Sequence, residues 1–98
     1  MHILTVLYHH PADPAAFDKH YESTHAPLVG PIPGVRSFTY RHCASLDGST
    51  PPYYLIAELA FDSLEDLQGG MESEAGQTAV ADVPNFAGDN VTMFVAHD

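Results

Sequence analysis

Basic residues are scarce in this chain: Lys19, Arg36 and Arg41 stand against thirteen acidic residues, for a formal net charge of −10. Nucleic acid and anionic membranes both call for a basic patch, which three cations do not make. Neither is expected as a partner. Cysteine is nearly absent. Cys43 alone cannot close an internal disulfide, and no CxxC pair occurs, which suits a reducing cytoplasm. No apolar run approaches the roughly 18 residues of a membrane span, and the opening MHILTVLYHH lacks the basic region of a signal peptide. A cytoplasmic protein is expected. Also missing are a Gly-rich phosphate loop, GxSxG, HExxH, HxH and any Cys/His cluster, so neither a cofactor nor a metal is expected.

What is present is the material of one small globular domain, taken as residues 1–98. Hydrophobic residues make up 45% of the chain, too many for a disordered segment. Residues 2–8 (HILTVLY) are apolar on both faces, like a central strand. Asp13-Pro14 supplies an N-cap with proline in the first turn. Phe17, Tyr21, Thr24, His25 and Leu28 then recur at helical spacing; Pro27 should disturb the last turn, and VGPIPG ends the helix.

Residues 35–43 alternate bulky with polar, as a strand does, and 53–61 (YYLIAELAF) form a strongly apolar third segment pairing antiparallel with it. Ser63 caps a second helix with Asp66 at the capping-box position. Gly69-Gly70 interrupts that helix, and a further piece starts at Ser73 and runs to about Val83. The stretch ADVPNFAGDN reads as a loop before the last strand, 91–96.

The order is β-α-β-β-α-β, an α+β ferredoxin-like pattern with a four-stranded antiparallel sheet and both helices on one face. Strand positions on both faces are largely apolar, including Ile3, Leu7, Phe38, Ile56 and Phe94. A monomer would leave one face in water, so a homodimer through that face is expected.

The segment LTVLYHHPADPAAFDKHYESTHAPL carries F-x-x-x-Y-x-x-x-H-x-P-L at Phe17, Tyr21, His25, Pro27 and Leu28. With PPYYLIAELAFDSLEDL and DVPNFAGDN, it resembles the EthD family of the dimeric α/β-barrel superfamily over nearly the whole chain. The resemblance implies a sheet-to-sheet dimer and a pocket between each sheet and its helices or loops. It also implies kinship with small cofactor-free enzymes on aromatic or polyketide-like substrates, and with degradation of a fuel ether beside an oxygenase system.

Among the residues that could carry chemistry, His25 leads, because an imidazole gives and takes protons near neutral pH. Tyr21, one turn earlier, can orient it or donate to an oxyanion. The alternative is that His25 bonds a carbonyl at the helix end while Tyr21 fills core. Tyr40 and Phe38 share a strand face and are candidate ligand contacts if that face lines the pocket. Glu58 is an acid in an apolar run, either a base of raised pKa or a partner for Arg36 or Arg41. Asn85 and Phe86 are candidates for the pocket rim. His20 and His25 stand five apart, a poor spacing for one α-helical face.

Two functions follow. One is cofactor-independent acid/base catalysis on a small apolar carbonyl or phenolic compound; the other is a non-catalytic binding or accessory protein holding a hydrophobic metabolite for an oxygenase.

Overall fold

A computed structural model describes residues 1–98. Four strands, β1 (His2–Tyr8), β2 (Ser37–His42), β3 (Leu55–Phe61) and β4 (Val91–His97), form one antiparallel sheet in the order β2-β3-β1-β4. The split βαβ arrangement expected from the element order is present. Between β1 and β2 the chain forms α1 (Pro14–His20), a π-helical turn (Tyr21–His25) and α2 (Ala26–Val29) without a break. Between β3 and β4 lie α3 (Leu64–Glu72) and α4 (Glu74–Phe86). No helix is long and apolar enough to cross a membrane.

Register decides which side chains meet the helices. Val6 lies opposite Ala57 on one side and Met93 on the other. Strand side chains alternate, so Leu4, Val6 and Tyr8 share a face with Leu55, Ala57, Leu59 and Phe61, and all of these are buried in one core. Phe17, Tyr21, Val29, Leu67 and Val83 close that core from the helix side. Tyr8, Tyr21, Phe61 and Leu55 are fully buried, each contributing about 1.5–3 kcal/mol of hydrophobic stabilisation. The opposite face carries Ile3, Leu7, Ile56 and Phe94 with Thr5, Thr39 and Glu58 among them. No helix covers it, and Phe94 is 48% exposed.

The helix caps are those expected. The Asp13 carboxylate accepts from the Ala16 amide at 3.1 Å, Ser63 from Asp66 at 3.0 Å and Ser73 from Gly76 at 3.1 Å.

Two expectations fail. Gly69-Gly70 does not interrupt α3, which continues to Glu72 and yields only at Ser73. Gly70 is buried where a Cβ would come within 2.7 Å of the Pro33 carbonyl oxygen, so the glycine permits close packing rather than a break. The stretch read as a loop from Ala81 is helical to Phe86, with Pro84 inside α4. Proline forfeits one helix bond. The inward side chains Ala79, Val83 and Ala87 are buried on that helix and its cap, and their packing offsets the loss.

Candidate functional site

The helix after β1 holds the unusual backbone. Pro27 has no amide hydrogen to continue an α-helical ladder, and just before it the helix widens so that the Ala26 amide bonds the Tyr21 carbonyl five residues back. In such a turn, residues five apart lie on one face. His20 and His25 therefore point the same way, toward α4.

Both meet Asp82. The His25 Nδ1 lies 3.0 Å from Asp82 Oδ2, and the His20 Nε2 is 3.0 Å from each carboxylate oxygen. The Asn85 amide donates to Oδ1 at 3.1 Å. Burial of Asp82 acts to raise its pKa, but the bonds from Asn85, His20 and His25 prevail and hold it below the usual carboxylate range. An ionised carboxylate only accepts, so each imidazole nitrogen facing it carries a hydrogen. Burial lowers the His25 pKa, and the bond and charge of Asp82 oppose this without overcoming it. His25 is thus a neutral imidazole. Its Nδ1–H is fixed on Asp82, and its Nε2 lone pair has no partner in the protein.

That lone pair belongs to a residue lining a small cavity between the sheet and the helices. Of its fifteen lining residues fourteen are hydrophobic, His25 being the exception. Tyr8 and Tyr21 also border it, their rings meeting edge to face at 5.6 Å, and burial raises both phenol pKa values, so both remain hydrogen-bond donors. The cavity is about 30 Å³, room for a water or two. At its mouth Val80 and Met93 are 44% and 43% exposed, and both border the open space. A larger, more polar groove of about 510 Å³ lies on the other side, bordered by Phe17, His20, Asn85 and Phe86.

The EthD domain profile matches residues 9–90, a span that includes the π turn, Asp82 and Phe86. The chain belongs to the EthD family. It is 50% identical over 93 residues to an uncharacterised 11.0 kDa protein in the thcB-thcC intergenic region of Rhodococcus erythropolis, covering 95% of this chain and 90% of that one. The crystal structure of an EthD family protein from Bacillus halodurans is similar throughout: TM-score 0.94, 36% identity, covering 100% of this chain and 98% of that one. A dimeric ferredoxin-like protein of unknown function from Thermobifida fusca shares the fold, with TM-score 0.73 at 11% identity, covering 99% and 90% of the two chains.

In this EthD chain the residues singled out from sequence fall in three places. His25, Tyr21 and Phe38 border the apolar cavity. Tyr40 is one layer back, its ring 4.9 Å from that of Tyr21. Asn85 and Phe86 border the polar groove, and Phe86 also reaches the His25 ring at 4.8 Å, standing between the two spaces. Glu58 is placed elsewhere: it lies opposite Thr5 and Thr39 on the sheet face away from the helices, remote from the cavity. Nor does it pair with an arginine. Arg36 binds Asp62 at 2.6 Å instead, because it precedes β2 and reaches the end of β3.

Asp82, Tyr8 and the partnership of His20 escape a reading by pattern. Asp82 alone left a signal, an acid one residue from Val83 on an otherwise apolar helical stripe through Ala75 and Ala79. Reading the stretch from Ala81 as a loop hides that stripe.

Proposed function

We propose that this EthD protein binds a small apolar carbonyl or phenolic compound between its sheet and helices, and that His25 moves a proton on it without a cofactor. The observation that carries this reading is the Asp82–His25 couple at the edge of an apolar cavity. A neutral imidazole with Nδ1–H held by a carboxylate and Nε2 unpaired is poised as a base. Removing a proton from carbon beside a carbonyl leaves an enolate, and a Tyr21 or Tyr8 hydroxyl donates to its oxygen. His25, now an imidazolium stabilised by Asp82, returns the proton at another position. Tyr40 supports Tyr21 from behind. Room for the compound comes at the mouth, where the flexible Met93 side chain yields.

The assembly proposed is a homodimer through the uncovered sheet face, as supported by the half-exposed Phe94 beside Ile3, Leu7 and Ile56 and by the dimeric description of the Thermobifida fusca protein. A second reading, carriage of a hydrophobic metabolite for an oxygenase, draws on the nearly complete apolarity of the lining.

His25→Asn separates the two. Against a panel of small phenols and enolisable carbonyls, catalysis requires that the variant bind as the parent does while turnover falls at least a hundredfold. Turnover unchanged in His25→Asn would sink the catalytic reading, and binding without turnover in the parent would favour carriage.

A further inference from the structure

Asp82 holds two imidazoles that face two different spaces. His25 borders the apolar cavity, whereas His20 borders the polar groove, about 510 Å³ in volume, between the β1–α1 connection and the α4–β4 connection. The cavity admits a water or two. The groove already falls within the roughly 300–1,000 Å³ of ordinary ligand pockets and needs no rearrangement.

Its lining sets the chemistry of an occupant. Half-buried Phe86 supplies aromatic surface, and His9, Asn85 and Asn90 supply polar groups. No lysine or arginine borders it, while Asp13 does and Asp82 lies just behind, so an anion finds no counter-charge. The His20 Nε2–H is committed to Asp82. In the neutral ring Nδ1 is therefore an acceptor, and it has no partner within the protein. The groove thus combines one aromatic wall with an acceptor that no protein group bonds.

We propose that this groove is a second binding site, which takes a compact, uncharged aromatic compound bearing hydroxyl groups, one of which donates to Nδ1 of His20. The ring lies beside Phe86, and a further hydroxyl reaches Asn90. This rests on the His20–Asp82 geometry and not on proton transfer by His25, so it stands or falls separately from the catalytic reading.

Resorcinol is the probe, titrated into the intact protein and followed by NMR of histidine rings, asparagine side chains and methyl groups, with benzoate as the charged control. Saturable shifts at His20 and Asn90 are expected, with benzoate binding at least tenfold more weakly. Ala16 is exposed and borders the groove, so Ala16→Trp fills it without entering the core, and it should weaken resorcinol binding at least tenfold. Ala12→Trp, from the exposed loop before α1, is the second blocking variant should the first disturb the fold. Val80→Trp, at the mouth of the other cavity and outside the groove, should leave the His20 and Asn90 shifts unchanged. The proposal is overturned by no saturable binding, by shifts that map to Val80 and Met93, by benzoate binding as well as resorcinol, or by undiminished binding in a folded blocking variant.

Discussion

His20 and His25 stand five residues apart and bond the same carboxylate, each nitrogen 3.0 Å from an oxygen of Asp82. An α-helix would turn one of them away. The π turn before Pro27 aligns them, and α4 brings the acid that both require. A carboxylate held by three donors is rigid, and a rigid carboxylate fixes which His25 nitrogen carries the hydrogen.

Asp82→Asn retains the size of the side chain but leaves one acceptor oxygen for three donors. The attraction that Asp82 exerts on the His25 proton disappears, so His25 should titrate lower still in a histidine NMR pH series. Unsatisfied buried groups should cost about 1–3 kcal/mol in urea denaturation. Any proton-transfer activity should fall at least tenfold. A His25 titration that rises in this variant contradicts the arrangement.

Stability should depend on pH in a definite direction. Burial depresses the folded-state pKa of His25 below its ordinary 6.5. Between that depressed value and 6.5 the unfolded chain binds more protons than the native one. The contribution is complete above pH 6.5 and is lost as pH falls through the interval. Asp82, also depressed, adds a further loss below its ordinary 3.8. Urea midpoints measured from pH 7.5 to 5 should decline in the parent, and His25→Asn should flatten the decline.

Gly69 and Gly70 should respond oppositely to alanine. At Gly69 an added Cβ meets nothing within 4 Å, so helix propensity should stabilise Gly69→Ala by about 0.5–1 kcal/mol. At Gly70 the same atom lies 2.7 Å from the Pro33 carbonyl oxygen and 3.0 Å from Phe61, and overpacking should cost about 1–3 kcal/mol. Paired urea curves test both, and equal effects would contradict the packing.

Phe94→Asp places a charge in the uncovered sheet face. If that face joins two copies, sedimentation should show a dimer for the parent and a monomer for the variant, with the fold intact by circular dichroism. A variant that remains dimeric moves the interface elsewhere.

Local sequence carried the framework. The β-branched run from His2 to Tyr8 and the helix starts at Asp13, Ser63 and Ser73 form from their own neighbours where the pattern places them, and the apolar strand read as 53–61 forms from Leu55 to Phe61. Pattern misled where packing overrode propensity. Gly70 is tolerated within a helix because Pro33 and Phe61 press against it. Pro84 is tolerated because Val83 and Ala87 are buried around it.

Spacing and composition, which are properties of the chain alone, were enough for the order of elements and the net negative charge, and they singled out His25 and Tyr21 as candidates. That Phe38 and Tyr40 face the helices while Glu58 faces away comes from packing, because strand periodicity names two faces without saying which is covered. Packing also joined His25 to Asp82, fifty-seven residues later, and aligned His20 beside it. A hydrogen bond between distant segments depends on how a helix turn and a neighbouring helix are packed on the sheet, and no local spacing encodes that.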